Sequence, residues 1–323
     1  MTRRNPELLA HQPAVDAARR ALKLRLQEWR ALAEPQSEPL TVLQVHDLRV
    51  ATTRLRTALL FFRLDFERRP LRKVLKRLCK LSHALGQRRD ADVGLEVLAE
   101  FAVHLGAQQR LSVDALRDRL SDVRARAEAD LHPLLAPKRI GKLVNRMENL
   151  PTVEREMTAG NETVLALQER LAQVEKRARR AVDGQPEVEH RLRIALKRFR
   201  YALELSESLV GKAGKVARKT AHELTNLLGA AHDGDELLLK VDRQRQAKLL
   251  EAAVAVRERS LEQQVTVERT VQHSPLADQR GLDLLAVYLQ ARRGEMEESF
   301  RLKWQEAERA GVWKKLRQRL ERL

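Results

Sequence analysis

The chain has 323 residues, enough to bury one large core or two smaller ones, and its apolar content of 43% predicts that it does so. Its 62 Lys and Arg against 45 Asp and Glu leave a formal charge of +17, a self-repelling excess that calls for an anionic partner. An aromatic content of 3% argues against base-stacking platforms for single-stranded nucleic acid, and a lone cysteine, Cys79, excludes an intramolecular disulfide and a zinc site of cysteine ligands.

The N-terminus, MTRRNPELLAHQP, is charged and is followed by no apolar signal region. The most apolar short stretch, Ala58 to Phe62, is far below membrane-spanning length. A cytoplasmic protein without a membrane partner is expected, and the single thiol fits a reducing compartment.

Only 13 Gly and 10 Pro punctuate the chain, and no alternating strand-like runs with turn dipeptides occur, so the fold class predicted is all-α. Helices are predicted near residues 7–33, 40–66, 69–85, 91–105, 109–130 and 137–148. A second set is predicted near 161–183, 187–210, 212–228, 234–246, 247–272 and 276–321, the last broken near Gly294 or Gly311. The stretch from Pro133 to Gly160 contains breakers and joins the two sets.

The second predicted helix of each set opens on the same pattern. His46, Arg49, Arg54 and Arg56 are matched by His190, Arg193, Arg198 and Arg200. At about 100° per residue, His46, Arg49, Thr53 and Arg56 fall within an arc of roughly 80°. Leu48, Ala51, Leu55, Ala58, Leu59 and Phe62 form an apolar stripe on another side. In the second copy His190, Arg193, Lys197 and Arg200 share one arc, while Leu192, Ala195, Phe199, Ala202 and Leu203 make the stripe. Solvated cationic faces are routine on basic amphipathic helices, but solvation alone does not require the same residue types twice. Two helices that each bury one face and carry cations on another are suited to hold a long, repeating anion. Arg forks with Lys and His⁺ as point donors hold phosphates best. His46 and His190, beside arginines, should stay neutral until a phosphate arrives, so binding is expected to strengthen in mild acid.

A second repeat follows the first at nearly the same offset: Leu85-Gly86-x-x-x-Asp90-x-Asp92 recurs as Leu228-Gly229-x-x-x-Asp233-x-Asp235. Between the repeats, Arg72 and Lys76 align with Lys215 and Lys219. Gly86 and Gly229 are read as helix C-terminal glycines, with Asp90 or Asp92 and Asp233 or Asp235 capping the next helix.

A metal-dependent hydrolase reading rests on His11, His46-Asp47 and Asp90, and on the dyad His232-Asp233. It is weak, because Asp47 is matched by Arg191 in the repeat and an excess of cations is a poor setting for a divalent metal. No Walker loop, His-Glu-x-x-His or Gly-x-Ser-x-Gly motif is present. No metal, cofactor or catalytic residue is therefore assigned.

Residues 45–60, VHDLRVATTRLRTALL, resemble the first motif of the CHAD family, the conserved histidine alpha-helical domain. HRLRIALKRFRYALEL from His190 resembles that family's second-half motif, and LGQRRDADV and LLGAAHDGDE resemble its Leu-Gly and Asp turns. The resemblance spans about residues 7–310. It implies two antiparallel four-helix bundles, near 7–150 and 158–310, related by an internal pseudo-two-fold, with 311–323 as a helical extension. It also implies a basic groove or pore that binds inorganic polyphosphate without catalysis, in some members at polyphosphate granules. A fused triphosphate-tunnel enzyme domain, which other members carry, is not expected, since its strand pattern is missing.

Carried over residue by residue, the resemblance implies a polyphosphate site of His46, Arg49, Arg54 and Arg56, with Arg72 and Lys76 on the next helix. The second half supplies His190, Arg193, Lys197, Arg198, Arg200 and Tyr201, with Lys215 and Lys219 after them. Thr53 and His232 stand where the family commonly has arginine, although a threonine hydroxyl can still donate a hydrogen bond. The rival expectation from charge is a helical nucleic-acid-binding protein, for which no helix-turn-helix or other reader is found.

Overall fold

The computed structural model describes residues 5–34, 39–181, 184–263 and 279–323. Among them are ten helices: α1 Ala14–Ala33, α2 Val42–Phe61, α3 Arg68–Ala102, α4 Ala107–Leu135, α5 Pro137–Glu148, α6 Ala159–Ala178, α7 Pro186–Leu205, α8 Glu207–Gln263, α9 Arg280–Arg309 and α10 Val312–Leu320. The only β-type pairing among the described residues is two isolated bridges, Pro13 with Thr158 and Phe66 with Thr152. The all-α class predicted from the breaker-poor sequence is the class observed. Parts of the predicted helices, residues 182–183, 264–272 and 276–278, lie outside the described residues.

Local chemistry explains where the two motif helices begin. Thr41 caps α2 through a capping box: its Oγ1 accepts from Gln44 N at 3.2 Å, and Gln44 Oε1 accepts from Thr41 N at 2.8 Å. α7 starts on Pro186, whose missing N–H costs nothing at the first helical position. α1 is shorter than its periodicity predicts, because Pro13 precedes its first residue and the segment before it is not helical.

The helix ends expected at Gly86 and Gly229 do not exist. α3 and α8 run straight through both glycines and through Asp90, Asp92, Asp233 and Asp235. Neither glycine has the positive φ of a helix C-terminal cap; that conformation is found at Gly184, Gly211 and Gly311. A glycine inside a helix costs only about 1 kcal/mol relative to alanine, which packing overrides here. The aspartates work as side chains to arginine instead of as caps: Asp92 Oδ1 lies 3.0 Å from Arg124 Nε, and Asp235 Oδ1 2.7 Å from Arg293 Nε. The last predicted segment breaks at Gly311 and continues through Gly294.

Two compact units are formed, and each draws on both halves of the chain. The first comprises residues up to Arg89, Ala127–Gly229 and Glu298–Leu323. Within it α1 packs on α2 and α6 on α7; α2 also packs on α7, α1 on α5 and α6, and α10 on α6. Both predicted apolar stripes are buried in its core: Leu48, Ala51, Leu55, Ala58, Leu59 and Phe62 from α2, and Leu192, Ala195, Phe199, Ala202 and Leu203 from α7. Trp29, fully buried on α1, donates its indole N–H to Thr52 Oγ1 at 2.9 Å and so fixes α1 on α2. α10 adds Trp313 and Leu316 to the same core.

The second unit comprises Asp90–Arg126 and Ala230–Glu297. Its core holds Leu98, Phe101, Leu116, Leu120, Leu237, Val241, Leu282, Leu285 and Leu289. Gly281 permits close packing there, since a Cβ would stand 2.0 Å from the Gln109 carbonyl oxygen.

Candidate functional site

Every residue proposed from the sequence as an anion ligand belongs to the first unit. His46 and His190 occupy the same register, each the fifth residue of its helix. His46 is exposed and His190 half-buried. The arcs that carry them are turned away from the buried stripes, as the helical spacing requires.

The cations of the two arcs meet. Lys197, half-buried on α7, has its pKa pushed down from 10.5 to about 7. Burial is the largest cause, followed by the positive charges of Arg49, Arg193, Arg200 and Arg56. Arg49 and Arg56 come from α2, and Arg193 and Arg200 from the turns of α7 on either side of Lys197. Corresponding segments of the two sequence copies thus each supply two guanidiniums whose charge acts on Lys197. Arg49, Arg56, Lys197 and Arg200 form no ion pair with a carboxylate among the described residues.

Neighbours hold several of these groups in place. Arg56 Nη1 donates to Ser82 Oγ on α3 at 3.2 Å, while its Nε is buried with no hydrogen-bond partner among the described residues. Arg200 lies over the Tyr201 ring, 4.1 Å from the centroid, and its Nε is likewise buried and unpartnered. Tyr201 is itself buried, so it supports Arg200 by cation–π contact. Charged donors left without acceptors in a partly desolvated site are costly until an anion supplies them.

Other predicted residues are placed differently. Arg54 Nε lies 2.6 Å from Glu204 Oε1, inside a network that also holds Arg25. It stands about 140° around α2 from Arg49, which puts it on another face. Thr53 spends its hydroxyl hydrogen on the Arg49 carbonyl at 2.9 Å, so the donor expected there is engaged. Arg72 and Lys76 are exposed on α3. Lys215 Nζ is 3.8 Å from Glu207, and Lys219 Nζ 4.0 Å from Glu223, so each has an acid neighbour.

Arg198 is exposed and belongs to a second cationic group that sequence reasoning only partly found. Arg170 on α6 has its pKa lowered by burial, an effect opposed by Glu169 and reinforced by the charges of Arg63 and Arg198. Its guanidinium sits 5.4 Å from the centroid of the Phe61 ring. Arg63 and Arg170 lie outside the repeated motif, and no spacing signal singles them out. Among the described residues no cluster of three or more His, Cys, Asp or Glu could hold a metal ion.

Comparison with known proteins gives a consistent picture. The family model described as the CHAD domain matches residues 14–241. The crystal structure of the CHAD domain from the plant Ricinus communis is similar in fold, with a TM-score of 0.63 and 22% identity, covering 93% of this chain and 95% of that one. PptA from Streptomyces chartreusis is similar at a TM-score of 0.64 and 17% identity, covering 91% of this chain and all of the other. No curated protein matches in sequence.

Proposed function

This chain belongs to the CHAD domain family, and from that membership and the shared cation cluster we propose that it binds inorganic polyphosphate without transforming it. The observation that carries the reading is that α2 packs on α7 and that the charges of Arg49 and Arg56 from one motif helix and of Arg193 and Arg200 from the other act together on Lys197. A linear polyphosphate offers acceptor oxygens and negative charge on every side, so it can satisfy guanidiniums that approach from two helices at once. His46 and His190 lie one turn before Arg49 and Arg193 and extend the track. Arg72 and Lys76, together with the group of Arg63, Arg170 and Arg198, offer further footholds for a long chain. We read Arg54 and Tyr201 as supports of this arrangement, and Lys215 and Lys219 as contributors to the general field.

The matching cations of α2 and α7, and the pairing of α1 with α2 and α6 with α7, support an approximate internal two-fold relating the halves of the chain. Among the described residues no helix is long and apolar enough to cross a membrane. Polyphosphate granules in the cytoplasm are the location this reading assigns.

Because each added phosphate finds another donor, affinity should grow with polymer length and fall steeply with salt, by analogy with counterion release from DNA. The test is titration of long polyphosphate, tripolyphosphate and duplex DNA at matched salt. Tightest binding of long polyphosphate is expected. Equal affinity for all three would reduce the site to a general basic surface, and preference for DNA would favour a nucleic-acid-binding protein.

A further inference from the structure

Aromatic residues are scarce in this chain, yet two of its three tryptophans stand together. The ring centroids of Trp304 on α9 and Trp313 on α10 are 5.8 Å apart, and Phe300, one turn before Trp304, lies 6.2 Å from it. Phe300 and Trp304 form the aromatic wall of a cavity of about 610 Å³, bounded by α9, α10 and the C-terminal end of α6. That volume falls within the roughly 300–1,000 Å³ usual for small-ligand sites. The whole lining belongs to the first unit, and none of it to the polyphosphate track.

Polar groups of both signs stand around the wall. Glu308 continues the ridge of Phe300 and Trp304 at four-residue spacing, and Arg301 and Gln305 form the ridge beside it. Arg179 lines the same cavity from the end of α6, where it donates only to the Glu175 carbonyl, at 3.4 Å. Arg179 and Glu308 form no ion pair among the described residues, and Arg301 has only an exposed contact of 3.7 Å with Glu298. Arg317 pairs with Glu175 and ties α10 to α6. Ala178, also in the lining, contributes a single methyl group where a larger side chain would occupy the space.

Each feature calls for one part of a ligand. The wall takes a flat ring, the guanidiniums of Arg179 and Arg301 take an anion, and Glu308 accepts from hydroxyl or amino groups. A bare polyanion gains nothing from the wall and is repelled by Glu308, while an uncharged apolar ligand leaves the arginines unmatched. We propose that this cavity binds a nucleoside monophosphate, with the base against Trp304 and Phe300, the phosphate on Arg179 and Arg301, and the ribose hydroxyls toward Glu308. The site is separate from the arginine cluster of α2 and α7, so the proposal stands apart from the polyphosphate reading.

The test is calorimetric titration of the full chain with AMP, ribose 5-phosphate and adenosine at matched salt. AMP should bind saturably at millimolar concentration or below. It should bind at least about tenfold more tightly than ribose 5-phosphate, which keeps the phosphate without the base, because base–aromatic contact supplies a factor of that order. Adenosine, without the phosphate, should likewise bind more weakly than AMP. Ala178→Leu fills the cavity and keeps its charges, so it should abolish AMP binding while leaving long-polyphosphate affinity unchanged. Arg179→Glu with Arg301→Glu, at exposed positions, should weaken AMP binding without lowering the urea midpoint, and this pair decides the matter if Ala178→Leu fails to fold. Arg49→Ala with Arg193→Ala should leave AMP affinity unchanged, whatever it does to polyphosphate. Absence of AMP binding, AMP binding no tighter than that of ribose 5-phosphate, persistence of AMP binding in the cavity variants, or its loss with Arg49 and Arg193 would overturn the proposal.

Discussion

Arg54 and Glu204 meet at 2.6 Å between α2 and α7, and Glu204, only 3% exposed, also faces Arg25 at 3.5 Å. An arginine that lies within the repeated motif therefore acts on the interior. Arg54→Ala leaves a buried carboxylate short of one of its two partners, a defect of about 3 kcal/mol on the scale of broken buried ion pairs. Urea unfolding should show that loss. Calorimetric titration of the folded variant should show a smaller loss of polyphosphate affinity than Arg49→Ala. A variant of undiminished stability that no longer binds would return Arg54 to the anion track.

Net charge and geometry can be separated by paired substitutions. Arg49→Ala with Arg193→Ala removes one cation from each motif helix next to Lys197. Arg309→Ala with Arg322→Ala removes the same charge from exposed positions outside the motifs. The first pair should lower polyphosphate affinity at least tenfold more than the second and reduce the salt slope by about two, one for each lost phosphate contact. Equal losses would show that overall charge supplies the affinity.

Period and duplication carried most of this in the sequence, because a helix arranges its own side chains without help from distant residues. The stripes through Leu55 and Phe199 are buried as the 3.6-residue period requires, and the arcs through Arg49 and Lys197 share one cluster. Tertiary choices were beyond it. Gly86 and Gly229 have the composition of helix ends, yet the helices continue through both, and Asp92 and Asp235 pair with Arg124 and Arg293. Arg63 and Arg170 come together only through packing, and neither has a counterpart at the repeat offset. Arg54 belongs to the same repeated string of cations as Arg56, but its direction around the axis delivers it to Glu204, an acid far away in the chain.

Proton uptake should accompany polymer binding. Lys197 has a pKa of about 7 in the free protein, and a bound polyanion stabilises its charged form, so the pKa rises on binding. Protons are then taken up between the free and bound values, with the largest uptake on the alkaline side of neutrality. Below about pH 6 the lysine is already charged and contributes no uptake. Calorimetry at pH 8 in buffers of different ionisation enthalpy should reveal uptake that is absent in Lys197→Arg. Affinity itself should fall as pH rises through 7. Buffer-independent heats at pH 8 in the native protein would show that Lys197 is not charged by the polymer.

Asp65 places a second pH dependence in the fold. Its side chain is fully buried, and its pKa is raised from 3.8 to about 6, first by burial, then by the charge of Glu162, against the opposing attraction and hydrogen bond of Arg155. One Asp65 oxygen accepts from Arg155 Nη1 at 3.4 Å, while Oδ2 is buried without a hydrogen-bond partner among the described residues. An acid whose folded pKa exceeds its unfolded value favours the folded state when protonated. That contribution is complete below about pH 4 and is lost as pH rises through 6. A shift of about two units corresponds to roughly 3 kcal/mol, so the ionised carboxylate weakens the protein by an amount of that order at pH 8. Asp65→Asn keeps the shape and an acceptor for Arg155 while removing the charge. It should raise the urea midpoint at pH 8 and change it little at pH 4, where native Asp65 is already neutral. Destabilisation at pH 8 would mean that the attraction to Arg155 outweighs burial and the repulsion from Glu162.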